Sequence, residues 1–466
     1  MKSKLFIVIL YVCLISFNVA YTQTASVKLD KFLQSPNLKH SAISFELINI
    51  SSGKIVSEYN SDMSLKPASI NKIITTATAL EVLGSDYTYK TSLFYDGTIR
   101  NSLLNGNLYI EGSGDPTLGS EFISKNKEAF LLEYLKAMRS LGIKQIKGDI
   151  VILDQLFGYN GIPNKWLLED IGNYYASGTY GISIFDNMYR LYLRSAQPRS
   201  RVKVLKTLPV MDLVYDNQMI AGSTNADRSL ITGMPFSRER RLTGSIPPNK
   251  KEYIIKGDIP DPGLFLASYF KSFLEKNNIK VMGKATTYRL NKINATNKTK
   301  IAEIESPDIA TISRVINVRS NNHYAEHLYK LLISKKVNIV NHWKSKGLDS
   351  SSLFIYDGCG LSPCDAVSAS FMNKILTYMY NSKNKEAFYN SLPLAGKEGT
   401  VVSFLKNSKL EGKARVKSGS IANVCSYSGY IEHEDNIYAF TIIINNFTGT
   451  RSQLRDDIKA LLVGLL

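Results

Sequence analysis

Apolar residues at 70, 73, 74, 77, 80 and 83 follow a helical period closely enough to form a buried stripe. Pro67 suits the first turn of that helix and Gly84 its stop. Ahead of it, Ile43 to Ile50 alternates as a strand, Ser51-Ser52-Gly53-Lys54 is a turn, and Ile55 to Tyr59 is a second strand. A short helix is expected at Ser26 to Leu33. From about Tyr89 the pattern changes to short strands and turns: Lys90 to Tyr95, Asn107 to Glu111, the turn-rich Gly112-Ser113-Gly114-Asp115-Pro116, then a strand over Gly148 to Asp154 that ends on a carboxylate. A helix interrupts this at Lys127 to Leu141, and two further β-rich runs occupy about Tyr189 to Lys256. Helical spacing returns from Asp261 to Leu274, from the capping stretch at Ser306 to about Arg319, and from about Asn322 to Ile333. The tail predicts strands at Ala414 to Lys417, Val424 to Ile431 and Ile437 to Asn445, then a closing helix from about Ser452 to Leu466. No internal repeat or low-complexity linker is visible.

The length, 466 residues, predicts two or three domains, and 44% hydrophobic with 21% charged residues excludes disorder as the default. The net charge of +17 favours anionic partners. The basic runs at Arg199 to Lys203 and Arg238 to Arg241 are short and lack the context of a nucleic-acid reader, so no nucleic acid is expected and peripheral association with a membrane surface stays open. A basic head, Met1 to Lys4, precedes a mostly apolar Leu5 to Ala20, and small residues at Ala20 and Thr22 set a cleavage site before Gln23. This predicts a signal peptide over 1–22 and export to the periplasm, with an uncleaved anchor as the alternative. Cys359 and Cys364 are close enough in sequence to pair in an oxidising compartment, leaving Cys425 free. The five histidines are scattered and no Cys/His spacing suits zinc, so neither a metal nor a cofactor is expected.

Against that background three short motifs stand out. Ser69-x-x-Lys72 places a hydroxyl and an amine on one face of the predicted helix. The same pattern recurs elsewhere, at Ser51, Ser124, Ser268, Ser382 and Ser403, but only Ser69 opens a long apolar helix, where a buried lysine needs a reason. Such a lysine, beside other cations, can be neutral and accept the serine proton. Ser320-Asn321-Asn322 lies between two helical segments, and Lys417-Ser418-Gly419 occurs once, at a strand edge where glycine admits a close approach.

In this order, S-x-x-K, S-x-N and K-S-G form the signature of the penicillin-recognising serine enzymes. The resemblance implies that Ser69 attacks a carbonyl, Lys72 takes its proton, and Ser320 relays that proton to the leaving amine. Asn322 would hold the substrate amide, Lys417 would supply positive charge for a substrate carboxylate and Ser418 a hydroxyl for it, with Gly419 beside them. The backbone N–H groups of Ser69 and Ser420 would form the oxyanion hole.

About 250 positions separate Lys72 from Ser320, far more than a compact β-lactamase uses. The insertion resembles that of the class C low-molecular-mass penicillin-binding proteins, the D-alanyl-D-alanine carboxypeptidase/endopeptidase family. Local matches are Gly112 to Leu118, Trp166 with Asp170 to Tyr175, Asp357-Gly358-Cys359-Gly360-Leu361-Ser362, and Ser391 to Gly396 with Gly399-Thr400. The departures are serine in the third motif where threonine is commoner, Cys359 for a usual serine, and Ala176-Ser177 where the family often has Gly-Ala.

The implied architecture is a multidomain α+β chain. A penicillin-binding transpeptidase-like (β-lactamase-like) domain, a five-stranded antiparallel sheet flanked by helices, would be split over 23–90 and 262–466. A large β-rich insertion would fill 91–261, with a nested third domain at about 190–245. By the same resemblance Asp154 would bind the amino group of the cross-link residue, against its plain reading as a strand-end carboxylate. The implied activity is that of a serine DD-peptidase acting on peptidoglycan stem peptides through an acyl-enzyme, with β-lactam antibiotics as covalent inhibitors. The alternatives are a β-lactamase-like hydrolase and a non-catalytic wall-binding protein; the oligomeric state stays open.

Overall fold

The computed structural model describes residues 26–293 and 295–466, so the expected signal peptide lies outside the described residues. By backbone contacts the chain divides into two compact units. One comprises the residues up to Val82, Ser313–Ser320 and Asn338–Leu466; the other comprises Leu83–Ile312 and Asn321–Val337.

The first unit is built on a five-stranded antiparallel sheet. Its order is Ile55–Tyr59, Ala42–Asn49, Asn436–Asn445, Val424–His433 and Ala414–Ile421. Period-2 alternation sends Phe45 and Leu47 to one face, where they join Ile442, Ile444 and the C-terminal helix residues Leu454, Ile458, Leu461 and Leu462 in one core. The helix at residues 26–33 adds Leu29 and Phe32 to the same core. On the opposite face Ser44 and Glu46 are polar yet buried, because the helix Ala369–Tyr380 covers them. Ser44 Oγ accepts from the Ala369 N–H at 3.1 Å, and Asn373 Nδ2 donates to Glu46 Oε1 at 2.9 Å. Burial pushes the Glu46 carboxyl above its usual range, partly offset by the Asn373 bond.

The strand Ala414–Ile421 is the sheet edge and pairs with Val424–His433 in unbroken register, Lys417 opposite Ser428 and Ser420 opposite Cys425. Its first half is covered on the outer side by the segment after Ser391. There the Ala395 N–H donates to the Ala414 carbonyl at 2.8 Å, and the Val416 N–H to the Pro393 carbonyl at 2.9 Å. The third motif therefore lies within a strand that runs on to Ile421, longer than the alternation of 414–417 predicts.

The second unit carries several smaller sheets. A five-stranded sheet orders Ala285–Thr287, Ile150–Leu153, Leu108–Glu111, Lys90–Tyr95 and Thr299–Glu305. The helices Ala129–Ser140 and Pro262–Lys276 bury Leu131, Tyr134, Leu266 and Phe270 with Leu93, Ile110 and Ile152. A separate core gathers Leu191, Leu193, Met219, Ile231 and Leu242 from short strands between Met188 and Asp258. Beside it a buried ion pair joins Arg240 and Asp258 at 3.0 Å. Among the described residues no helix is long and apolar enough to cross a membrane.

The expected Cys359–Cys364 disulfide does not form: Cys359, Cys364 and Cys425 are all free thiols. The loop is wound around Asp357, whose carboxylate accepts the N–H groups of Cys359, Gly360, Leu361 and Ser362 at 2.5–3.0 Å. That winding buries the Cys359 side chain while Cys364 faces solvent. Proximity in sequence does not bring the two sulfurs together.

Candidate active site

Ser69 sits in a single 3-10 turn, Ala68–Ile70, and the α-helix proper runs over Asn71–Leu83. The turn is strained, since Ala68 has a φ of 49°, a region that side-chain-bearing residues rarely adopt. Gly360 permits it: at φ 80°, a Cβ there would lie 1.9 Å from the Ala68 carbonyl oxygen. The Asp357-centred loop is thus packed against the backbone that carries Ser69.

Lys72 is fully buried, and its Nζ lies 3.0 Å from Ser69 Oγ and 2.6 Å from the Cys359 carbonyl oxygen. The departure from serine at 359 leaves this contact intact, because the group that meets Lys72 is the backbone carbonyl. Thr75 Oγ1 donates to the neighbouring Gly358 carbonyl at 2.7 Å, anchoring the same loop to the helix.

Ser320 terminates the helix Ile309–Arg319 with a φ of 53°. That helix is held to the helix Asn71–Leu83 by Asn317, which donates to Thr76 Oγ1 at 3.3 Å and to Ser391 Oγ at 2.9 Å. Lys417 is also fully buried; its Nζ donates to Ser320 Oγ at 2.9 Å and to the Ser418 carbonyl at 2.6 Å. Burial, reinforced by the nearby Lys72, pushes the Lys417 amine well below its ordinary value. Ser418 Oγ is paired with Thr400 Oγ1 at 2.8 Å, which gives the Gly399-Thr400 segment its place.

Gly419 faces the turn Ala68–Ile70. A Cβ there would lie 2.2 Å from Ser426 Oγ, 2.6 Å from the Pro67 carbonyl oxygen and 3.0 Å from the Ser69 nitrogen. Ser426 Oγ donates to that same Pro67 carbonyl at 2.6 Å, tying strand to turn. Ser69, Ser320, Ser418, Gly419 and Ser420 line one cavity of about 310 Å³, whose remaining wall is Thr400, Cys425, Tyr427, Arg451 and Arg455. The arrangement brings together the Ser69 hydroxyl with an amine beside it, and the Ser320 hydroxyl tied to a second amine.

Two sequence-predicted residues belong to the other unit. Asn322 opens the helix Asn322–Ser334, and its Nδ2 donates to the Tyr175 carbonyl at 2.8 Å. Tyr175 is in turn held by its hydroxyl to Asp170 Oδ1 at 3.0 Å, so the tryptophan–aspartate–tyrosine segment positions Asn322. Ser177, a departure from the usual alanine, bonds His323 Nδ1 at 3.2 Å, and Ser183 bonds its Nε2 at 2.8 Å. Burial drives His323 well below its usual pKa, so it is a neutral packing residue. Asp154 ends its strand buried, accepts from the Tyr159 hydroxyl at 2.9 Å, and is pushed upward in pKa by burial.

The family model for the D-Ala-D-Ala carboxypeptidase 3 (S13) family matches residues 25–465. The chain belongs to this family. It is accordingly a serine DD-peptidase, with the penicillin-binding, β-lactamase-like fold. The D-alanyl-D-alanine carboxypeptidase of Actinomadura sp. (strain R39) is 23% identical over 445 residues, covering 90% of this chain and 81% of that protein. The D-alanyl-D-alanine carboxypeptidase DacB of Haemophilus influenzae is 22% identical over 424 residues, covering 88% and 86%. Among solved structures, penicillin binding protein 4 (dacB) from Haemophilus influenzae matches with a TM-score of 0.79 at 21% identity, over 93% of this chain and 97% of that one. A penicillin G acylated predatory endopeptidase from Bdellovibrio bacteriovorus matches with a TM-score of 0.52 at 17% identity, over 91% of each chain.

Arg451 and Arg455 lie in the cavity wall but belong to no motif, being on a helix distant in sequence from all three. Cys359 and Thr400 fall within local family matches, yet those do not convey that Cys359 meets Lys72 through its backbone carbonyl or that Thr400 pairs with the Ser418 hydroxyl.

Proposed function

We propose that this S13 enzyme cleaves D-alanyl bonds of peptidoglycan stem peptides by attack of Ser69, with Lys72 as the base. The observation that carries the assignment is the buried Lys72 amine, 3.0 Å from Ser69 Oγ and held by the Cys359 carbonyl. A neutral amine there donates one N–H to that carbonyl and receives the serine proton on its lone pair. Ser69 Oγ then bonds the D-alanyl carbonyl carbon, and the Ser69 and Ser420 N–H groups face the oxyanion. The proton passes through Ser320, whose hydroxyl is bonded to Lys417, to the departing amine. Water releases the acyl group by the reverse of these transfers.

Asn322 holds the substrate amide, Ser418 with Thr400 behind it meets the leaving residue, and Asp154 takes the amino group of the cross-link residue. β-Lactams enter the same cleft and acylate Ser69. The family itself, and the penicillin G adduct seen in the Bdellovibrio endopeptidase, support that extension. Export to the periplasm through residues 1–22 belongs to the same reading. The test is turnover of a D-Ala-D-Ala peptide by Ser69→Ala and Lys72→Ala. The first should abolish it and the second should slow it by about 10²–10⁴-fold; unchanged turnover in either removes the assignment.

A further inference from the structure

We infer that Arg451 and Arg455, on the C-terminal helix, form the cationic wall that receives the free carboxylate of the leaving residue. The inference rests on the DD-peptidase reading above and deepens it. Lys417 is fully buried, and its Nζ is committed inward to Ser320 Oγ and the Ser418 carbonyl. Burial and the neighbouring Lys72 further disfavour its charged form. An amine buried and committed to two inward acceptors is poorly placed to reach a substrate anion.

The cavity holding Ser69 and the Ser418 hydroxyl has two other cationic side chains in its wall, Arg451 and Arg455. They are one helical turn apart at i and i+4, so they project from one face of the helix Arg451–Leu465. Arg451 is fixed at the hairpin by a 2.7 Å bond from Nη2 to the Ala422 carbonyl. Arg455 bonds Ser452 Oγ through Nη2 at 2.7 Å, and its Nε is buried without a hydrogen-bond partner among the described residues. The Asp456 carboxylate stands 4.0 Å from that nitrogen and is shared with Lys459 at 3.4 Å.

The cavity-lining neighbours Cys425 and Tyr427 add no negative charge beside the pair. Burial pushes the Cys425 thiol up to about 11 and the Tyr427 hydroxyl upward as well, so both are uncharged at neutral pH. A guanidinium matches a carboxylate in shape and charge, with parallel N–H donors that an ammonium lacks. D-alanine leaves with a carboxylate next to the amine that Ser320 protonates, which puts that carboxylate on the Ser418 side of the cavity. The arginine wall therefore selects leaving residues that end in a free acid.

The test compares Nα,Nε-diacetyl-Lys-D-Ala-D-Ala with its C-terminal amide, using the full chain and the variants Arg451→Gln, Arg455→Gln, their double and Arg455→Lys. The readout is the acid-to-amide ratio of kcat/KM, with the melting temperature confirming folding. The wild type should favour the acid. Each single Gln variant should lower the ratio about tenfold or more, the double should bring it near one, and Arg455→Lys should fall between. A ratio unchanged in the double variant overturns the inference. A parallel loss on both peptides does so too, since it would mark a structural role. Failure of the wild type to turn over either peptide overturns the DD-peptidase reading itself, and this inference with it.

Discussion

Replacing Gly419 by alanine tests how the strand edge sets the nucleophile. The added methyl would lie 2.2 Å from Ser426 Oγ and 2.6 Å from the Pro67 carbonyl oxygen, against ordinary contact near 3.4 Å. Rotating Ser426 away removes the first clash but loses its 2.6 Å bond to Pro67. The second clash is with backbone and requires strand and turn to part by about 0.8 Å. Overpacking of this kind costs about 1–3 kcal/mol of stability. The turn that moves carries Ser69, and a misplacement near 1 Å can cost about 10²-fold in rate. Acylation by benzylpenicillin, followed by stopped flow with the melting temperature measured in parallel, should fall by about that factor in Gly419→Ala. The double variant Gly419→Ala/Ser426→Ala removes only the side-chain clash and should recover little. Acylation at the wild-type rate in Gly419→Ala, or full recovery in the double variant, would refute the backbone contact as the controlling one.

Thiol counting under denaturing, non-reducing conditions should find Cys359, Cys364 and Cys425 all reduced, with Cys364 alone reacting readily in the folded protein; two thiols fewer would restore the disulfide. Burial raises the Asp115 and Asp186 carboxyls to about 6. A folded-state pKa above the unfolded value gives stability that is full below about pH 4 and is lost as pH rises through 6. These two groups therefore oppose acid unfolding of their unit, each on the order of 2–3 kcal/mol at most. Urea titrations from pH 4 to 7 should show a flatter stability profile in Asp115→Asn than in wild type; an unchanged profile would contradict the shift.

Much of the first unit was legible because its strands are bounded by turns and its helices carry clear stripes. The sequence reading placed strands at 43–50 and 55–59, and the structure has Ala42–Asn49 and Ile55–Tyr59. The closing helix expected at 452–466 is Arg451–Leu465. The helices Ile339–Ser345, Ala369–Tyr380 and Lys385–Ser391 went unread. Of these, Ala369–Tyr380 matters most, since its Asn373 donates to the buried Glu46 carboxylate and accepts from the Thr441 hydroxyl on the sheet face it covers.

In the site, the spacing of Ser69 and Lys72 conveyed their juxtaposition, because three residues on a helix share a face. The φ of 49° at Ala68 was not legible: alanine gives no sign of a left-handed backbone, which here depends on Gly360 far along the chain. The resemblance implies a charge for substrate at Lys417; its burial and its bond to Ser320 follow from sheet register, which a three-letter motif does not carry. Cys359 and Cys364 misled because sequence proximity says nothing about a loop wound around a carboxylate.

If Ser69 is the nucleophile, it is the residue that takes the acyl group. Intact-protein mass spectrometry after exposure to benzylpenicillin, with peptide mapping of the product, reads this out. One penicilloyl adduct per chain is expected, located on Ser69, long-lived, and lost in Ser69→Ala. An adduct on another residue, or none at all, would contradict it, and release within seconds would point to a β-lactamase instead.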